Sequence, residues 1–358
     1  MTGKRLSTGS LRDTTWLIVG LMLACSCGLM MAIPASCSGA LAGEPKPARS
    51  LEGLTRNSLG IAFSPDGALV AACGVNEICI WSTKTGSLLQ RVKPASKTEP
   101  QPGPQNTVFH LCFSPDGQML AFCCSGGAVV LSKGEDKFEA IKTLAVNGSC
   151  RGISFTPDGK HLLVGKNDGF DCEVAVFRTE DWKEVMTLPG RHYAAEVVPV
   201  SPNGKLAASG AGNGVIVWDL SNKGKVIAEL KGHKGEVESV AWHPSGKTLA
   251  AGDRAHTIIV WDVENKKVIK RIDTHPSGTN VSPMARVEFL VFDPTGNRLA
   301  ATTLDGMLKI YSAERELVSM RASPVGLAIS SDGKWLATGD GEKPEIVNLW
   351  RVADLLGE

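Results

Sequence analysis

Beyond residue 43 the chain alternates short apolar runs with polar, Gly- and Pro-containing breaks, and no stretch sustains a helical period. Residues 59–63, 152–155 and 239–242 are such runs, and each reads as a strand. These runs lead into a recurring four-residue break. It reads Ser64-Pro65-Asp66-Gly67, Ser114-Pro115-Asp116-Gly117, Thr156-Pro157-Asp158-Gly159, Ser201-Pro202-Asn203-Gly204, His243-Pro244-Ser245-Gly246, Asp293-Pro294-Thr295-Gly296 and Ser330-Ser331-Asp332-Gly333. Proline sets φ for the first corner, and Asp or Asn followed by Gly tolerates the next, so each break reverses the chain. A second apolar run follows, as in residues 205–209, 247–252 and 297–302. A third ends in an aromatic in most copies: Trp81, Phe177, Trp218, Trp261, Tyr311 and Trp350. The second copy has Val129-Val130-Leu131-Ser132 there instead. A fourth, more polar run completes the unit, as in residues 225–230 and 267–272.

Counted at the second position of the break, the seven copies are 50, 42, 45, 42, 50 and 37 residues apart, a mean of about 44. That is the period of a four-stranded repeat unit. A sheet with an apolar middle and a polar outer edge has two faces to cover and cannot fold alone. Stacking such sheets radially covers both.

The first 42 residues differ in kind. Lys4, Arg5 and Arg12 precede an apolar run from Trp16 to Ile33, followed by Pro34 and a stretch of small residues. Basic, then apolar, then small is the layout of a secretory signal, and Ala40 and Ala42 place its cleavage before Gly43. The apolar run is 18 residues long, near the lower limit for crossing a bilayer, so an uncleaved anchor at residues 16–33 is the alternative. Either way the remainder is expected outside the cytoplasm, in a periplasmic or other extracytoplasmic space, because basic residues before the run stay inside. Cys25 and Cys37 lack a Leu three residues earlier, which weakens a lipoprotein reading. The expected organisation is therefore a signal or anchor over residues 1–42 and one repeat domain over residues 43–358.

Charge removes one class of partner. Lys plus Arg is 38 against 37 for Asp plus Glu, a net +1, so no nucleic-acid partner is expected. Seven cysteines lie beyond the first 42 residues: Cys73, Cys79, Cys112, Cys123, Cys124, Cys150 and Cys172. An odd number without regular spacing is not a disulfide framework, although export permits one or two bridges. Without a C-x-x-C pair or an associated His, neither a metal nor another cofactor is expected.

In its turns, its period and its aromatic positions the chain resembles the WD-repeat β-propeller family over about residues 48–358. The fifth repeat carries the resemblance best, with Gly232-His233, Ser239, Pro244-Ser245-Gly246 and Trp261-Asp262; Trp218-Asp219 is a second WD dipeptide. The resemblance implies an all-β fold, a single seven-bladed β-propeller of four-stranded antiparallel blades preceded by the signal or anchor helix. It also implies a hydrogen-bonded tetrad of His, Ser or Thr, Asp and Trp in well-formed blades. His233, Ser239 and Trp261 match that pattern, but Ala255 stands six residues before the Trp, where Asp is expected. The sixth repeat keeps Asp305 and has Tyr311 in place of Trp. Such degeneracy is tolerable, because a buried hydrogen bond nets about 0.5–1.5 kcal/mol whereas removing a buried Trp costs about 3–5 kcal/mol. Residues 50–54 stand where other repeats have an outer strand and a Gly-His step, yet no blade precedes them. Residues 47–52 are accordingly expected to form the outer strand of the last blade, beside residues 347–351, closing the ring and hiding both edges.

The resemblance also implies that the Pro-x-Gly turns share one face, with the other connections on the opposite, top face. The two 50-residue intervals locate the longest of these connections, residues 94–106 and 273–285, and place both on top, nearly opposite each other. Insertions held by a rigid scaffold are where binding is commonly found. Candidate contacts are Gln101 and Asn106 in the first and His275 and Asn280 in the second, together with Arg254. Residues 166–171 read as a long loop between second and third strands, adding Lys166, Asp168 and Phe170. Phe170 is either an interface anchor or a side chain folded back on its own blade. Asp168 and Asp171 fall short of a Ca²⁺ ligand set. Most of the seven histidines, among them His110, His161, His233 and His243, fit structural positions of the repeat, and no nucleophile elbow, H-E-x-x-H or P-loop occurs. The expected function is an exported, non-catalytic scaffold, a monomeric ring whose top-face loops bind a protein or peptide, touching membrane only through its N-terminal segment. The alternative is a propeller hydrolase or lyase with a loop-built site at the channel mouth.

Overall fold

A computed structural model describes residues 45–94, 107–124, 127–134, 137–146, 149–167, 172–190, 197–275, 285–324 and 326–358. Residues 1–42, expected to be a signal or anchor, lie outside these residues. The repeat period resolves into seven sheets. Strand β1 (Arg49–Leu51) comes first, and the first blade follows as β2 (Gly60–Phe63), β3 (Leu69–Gly74), β4 (Glu77–Ser82) and β5 (Leu88–Val92). The second blade is β6 (Val108–Phe113), β7 (Met119–Cys124), β8 (Gly127–Lys133) and β9 (Phe138–Leu144). The third is β10 (Ser149–Phe155), β11 (His161–Asn167), β12 (Cys172–Arg178) and β13 (Glu184–Leu188). The fourth has β14 (Leu206–Ala211), β15 (Gly214–Asp219) and β16 (Lys225–Lys231). The fifth runs β17 (Val237–Trp242), β18 (Thr248–Asp253), β19 (Thr257–Asp262) and β20 (Lys267–Asp273). The sixth is β21 (Val287–Phe292), β22 (Arg298–Thr303), β23 (Met307–Ser312) and β24 (Glu316–Arg321). The seventh, β25 (Leu327–Ile329), β26 (Trp335–Gly339) and β27 (Val347–Arg351), takes β1 as its outer strand, and a short helix α1 (Val352–Leu356) follows.

Ring closure is as expected. Strand β1 pairs antiparallel with β27, Arg49 opposite Leu349 and Leu51 opposite Val347, and the Ala48 amide donates to the Leu349 carbonyl at 2.8 Å. The core lies between blades rather than within them. One cluster joins Ile78 and Ile80 of the first blade to Leu111, Phe122 and Leu131 of the second, and another joins Leu51 and Leu349 to Val70 and Trp81. The repeated aromatic is buried in this seam, and Leu131 replaces it in the second blade. The Trp81 and Trp218 indole N–H groups donate to the carbonyls of Glu52 and Pro189, which lie just past the outer strand of the preceding blade.

The Pro-x-Gly turns form a continuous girdle. In the second turn Gly117 has φ +69°, and a Cβ there would sit 3.5 Å from Pro65 of the first; the seventh repeats this with Gly333 against Pro294 at 3.3 Å. Glycine therefore supplies the left-handed corner. The girdle closes where Ser331, which replaces the usual Pro, donates from Oγ to the Pro65 carbonyl at 2.6 Å.

Three expectations are corrected. The inner run of the fourth blade is not a regular strand: it makes one bridge, Val200 opposite Ala207, and a bond from the Ala208 amide to the Pro199 carbonyl. Pro199 has no N–H to donate, so a ladder cannot continue through it. Lys166 and Asn167 belong to β11, opposite Glu173 and Cys172, and not to a loop; residues 168–171 lie outside the described residues. The tetrad carboxylate of the fifth blade is not missing at Ala255 but comes from Asp253, as set out below. A disulfide joins Cys123 of β7 to Cys150 of β10, stapling the second blade to the third. Cys73, Cys79 and Cys112 are free thiols. Burial pushes the thiols of Cys73 and Cys112 up to about 12 and that of Cys79 to about 11, so they act as small apolar groups.

Candidate functional site

Four inner strands share an irregularity that the repeat pattern does not announce. Pairing with the neighbouring strand slips between Val108 and His110, Cys150 and Ile153, Val237 and Ser239, and Val287 and Phe289. Each slip lies at the strand end that faces the outer-to-inner connections, on the face opposite the turn girdle. A bulge kinks its strand and re-aims the extra side chain. Here the extra residues include Phe109, Arg151, Glu238 and Glu288, gathered around the top mouth of the channel.

They form two chemically distinct sides. Across the second and third blades, the Arg151 guanidinium lies over the Phe109 ring at 5.1 Å from its centroid, a cation–π contact. Across the fifth and sixth blades, Arg254 pairs with Glu236 and Glu238, and Arg286 pairs with Glu288. Arg286 also lies 3.9 Å from Glu238, linking the two blades. Three carboxylates thus share two guanidiniums, an excess of one negative charge when all are ionised. Burial pushes the Glu288 carboxyl above its ordinary range, with Arg286 opposing the shift and Glu238 adding to it. The side chains of Arg254 and Arg286 remain about a third exposed, so the paired charges present an accessible, hydrogen-bonding rim.

The remaining top-face ion pairs are structural stitches between a blade's entry and its second-to-third-strand turn. His233 Nδ1 lies 2.8 Å from Asp253 Oδ2, with both side chains fully buried. Burial disfavours the Asp253 carboxylate most, yet His233 and the amides of Thr257 and Gly235 outweigh it and hold the group below its ordinary range. Trp261 packs on His233 with ring centroids 5.2 Å apart, while the Ser239 hydroxyl has no hydrogen-bond partner among the described residues. In the sixth blade His275 Nε2 meets Asp305 Oδ2 at 2.9 Å. His275 follows β20 as His233 follows β16, so it occupies the same structural position, with Thr274 in place of Gly. The first blade makes the stitch with Thr55, whose Oγ1 donates to Glu77 at 2.7 Å.

Among the sequence candidates, Arg254 belongs to the mouth. Lys166 projects from β11 to Glu184 at 3.2 Å, and His275 is held by Asp305. Gln101, Asn106, Asp168, Phe170 and Asn280 lie outside the described residues. The strand ends flanking Gln101 and Asn106 are Val92 and Val108, and those flanking Asn280 are Asp273 and Val287. Missed in the sequence were Phe109, Arg151, Glu236, Glu238, Arg286 and Glu288. A usable signal was present in the acidic residue second in both β17 and β21. Among the described residues no group of three or more His, Cys, Asp and Glu could hold a metal ion.

The model of the family "WD domain, G-beta repeat" matches residues 97–131 and 224–262. The second match spans the outer strand of the fourth blade through Trp261-Asp262, and the seven sheets supply the matching architecture. The chain is a WD-repeat propeller. It is 29% identical over 195 residues to small ribosomal subunit protein RACK1y of Oryza sativa subsp. japonica, covering 48% of this chain and 54% of that protein. It is 26% identical over 173 residues to the chromatin assembly factor 1 subunit FAS2 homolog of the same organism, covering 45% and 32%. Against the intraflagellar transport protein 122 homolog of Danio rerio the identity is 22% over 256 residues, 69% of this chain and 20% of the other. The propeller thus spans about a third to a half of the length of the first two.

Proposed function

We propose that this WD-repeat propeller is an exported, non-catalytic scaffold that holds a protein or peptide partner at the top mouth of its channel. The observation that carries the proposal is the set of bulged inner strands, which bring a cation–aromatic side and an acid-rich side to one opening. Aromatic and Arg groups are the usual anchors of protein interfaces, and paired charges on a rim set orientation and selectivity. The relatives' names, a small ribosomal subunit protein and a homolog from a chromatin assembly factor, belong to components of assemblies, which fits a binding role. At the mouth Glu236, Glu238 and Glu288 are each held by Arg, an arrangement suited to recognition more than to proton transfer. The export half rests on the basic, apolar, small order of residues 1–42 and on the Cys123–Cys150 bridge, a bond that persists in oxidising compartments.

Affinity capture from the envelope fraction tests the binding role. The intact chain is expected to retain a stoichiometric partner that is lost when residues 95–106 or 276–284 are shortened without changing the melt. Retention by both shortened forms would refute the top-face assignment. Turnover in a panel of hydrolase and lyase substrates, abolished by Glu288→Gln, would favour catalysis instead. For export, residues 1–43 fused to alkaline phosphatase should yield enzyme active outside the cytoplasm, and an inactive fusion would refute that half.

A further inference from the structure

The turn face carries a second surface that the mouth does not explain. Between the sixth and seventh blades, Arg298, Lys334, Trp335, Arg351, Val352 and Glu358 line an open cleft of about 340 Å³. Its origin is the convergence of strand ends: Arg298 begins β22, Trp335 begins β26 and Arg351 ends β27. After Arg351 the chain makes the single turn of α1, which Gly357 caps at φ +69°. The Glu358 amide then bonds the Ala353 carbonyl at 3.0 Å, folding the Glu358 side chain back so that Arg298 Nη2 donates to its carboxylate at 2.5 Å.

The lining is cationic around an aromatic. The guanidinium carbons of Arg49 and Arg351 lie 5.5 and 5.8 Å from the Trp335 ring centroid, so the indole holds positive charge without neutralising it. Arg351 has no ion-pair partner among the described residues, and Lys334 meets only Asp332 of its own turn, at 3.4 Å. Against Arg298, Lys334 and Arg351, the single carboxylate in the lining is Glu358, whose side chain is 55% exposed.

The geometry points to a docking site for an acidic peptide segment of a partner protein. One ligand carboxylate takes the Arg298 fork in place of Glu358, and a second reaches Arg351 and Lys334 across the Trp335 ring. Glu358 marks the first position, since it is a peptide-borne carboxylate already on that fork, and its exposure lets it leave at little cost. A recess with an aromatic wall admits a side chain, whereas a bilayer surface would meet these cations only on a flat or convex face.

Fluorescence anisotropy of a labelled octaglutamate peptide with the full chain tests the site. Arg298→Ala is expected to weaken binding about tenfold, the loss of one bidentate charged contact. Glu358→Gln should tighten it about threefold by removing the competing carboxylate. Lys160→Ala, at the same turn position as Lys334 but in the third blade, should leave it unchanged. Where Arg298→Ala fails to fold, Arg298→Lys keeps the charge, loses the fork and should still weaken binding. Unchanged affinity on altering Arg298, or an equal loss at Lys160, overturns the proposal. So does displacement of the peptide by phosphatidylglycerol vesicles in an Arg298-dependent manner, which would make the cleft a lipid site.

Discussion

Removing the Leu51 side chain should loosen the ring at its seam. Leu51 is fully buried, packed with Leu54, Trp81, Val347 and Leu349, in a strand of only three residues that carries the whole N-terminal contribution to the seventh blade. A buried Leu→Ala change costs about 2–5 kcal/mol through lost transfer energy and the cavity left behind. A rigid seam between two blades collapses little, so a value near 3 kcal/mol is expected for Leu51→Ala. At about 2.1 cal/mol/K per residue, roughly 310 folded residues unfold with an entropy near 0.7 kcal/mol/K, so the melting temperature should fall by about 4–5 °C. Leu89→Ala is the control, since that side chain is 57% exposed on the outer strand of the first blade, and it should shift the melt by less than about 1 °C. Calorimetry of both variants beside the parent decides the matter. Equal melts for Leu51→Ala and Leu89→Ala would mean that the N-terminal strand does not close the ring.

Three further outcomes are expected. Replacing Cys123 and Cys150 with Ser releases a cross-link 27 residues apart, and the chain-entropy relation puts the loss at about 3.5 kcal/mol; a melt equal to that of the parent under oxidising conditions would refute the bridge. Asp66, Asp116, Asp158 and Asp332 are each held below the ordinary 3.8 chiefly by the Ser or Thr hydroxyl of their own turn. A carboxyl whose pKa is depressed on folding adds stability above the unfolded value and loses it as pH falls through the folded one. Melts of the parent should therefore decline below about pH 4, and a variant with all four changed to Asn should decline less, whereas parallel curves would contradict this. Gly333→Ala forces a left-handed φ on alanine against Pro294 and should destabilise by about 1–2 kcal/mol in denaturant titration, while no change would argue that the girdle is loose.

How much of this could be read from the chain follows from what each feature requires chemically. The Pro-x-Gly turns and the aromatic at the end of each third strand were legible because only a few residue types satisfy a reversing corner or fill the seam between sheets. Ring closure was legible for a similar reason: residues 50–54 look like an outer strand and Gly-His step with no blade before them. The bulges were not, because a slip between Val237 and Ser239 depends on how β17 pairs with β18 and leaves no mark on the apolar pattern. With the bulges went Glu238 and Glu288, which a period-two reading assigns to ordinary strand positions. Asp253 escaped because a carboxylate two residues from the expected place reaches His233 equally well. The Cys123–Cys150 pair escaped because it joins neighbouring blades, a contact set by radial stacking rather than by spacing within one repeat.

The proposed partner contacts the top mouth of the channel. Hydrogen–deuterium exchange of the propeller, free and with its captured partner bound, tests it most directly. Protection should concentrate at residues 107–110, 150–152, 236–239 and 286–289, with the turn girdle and the outer strands unchanged. Protection confined to the outer strands, with those four segments exchanging as in the free protein, would contradict the account.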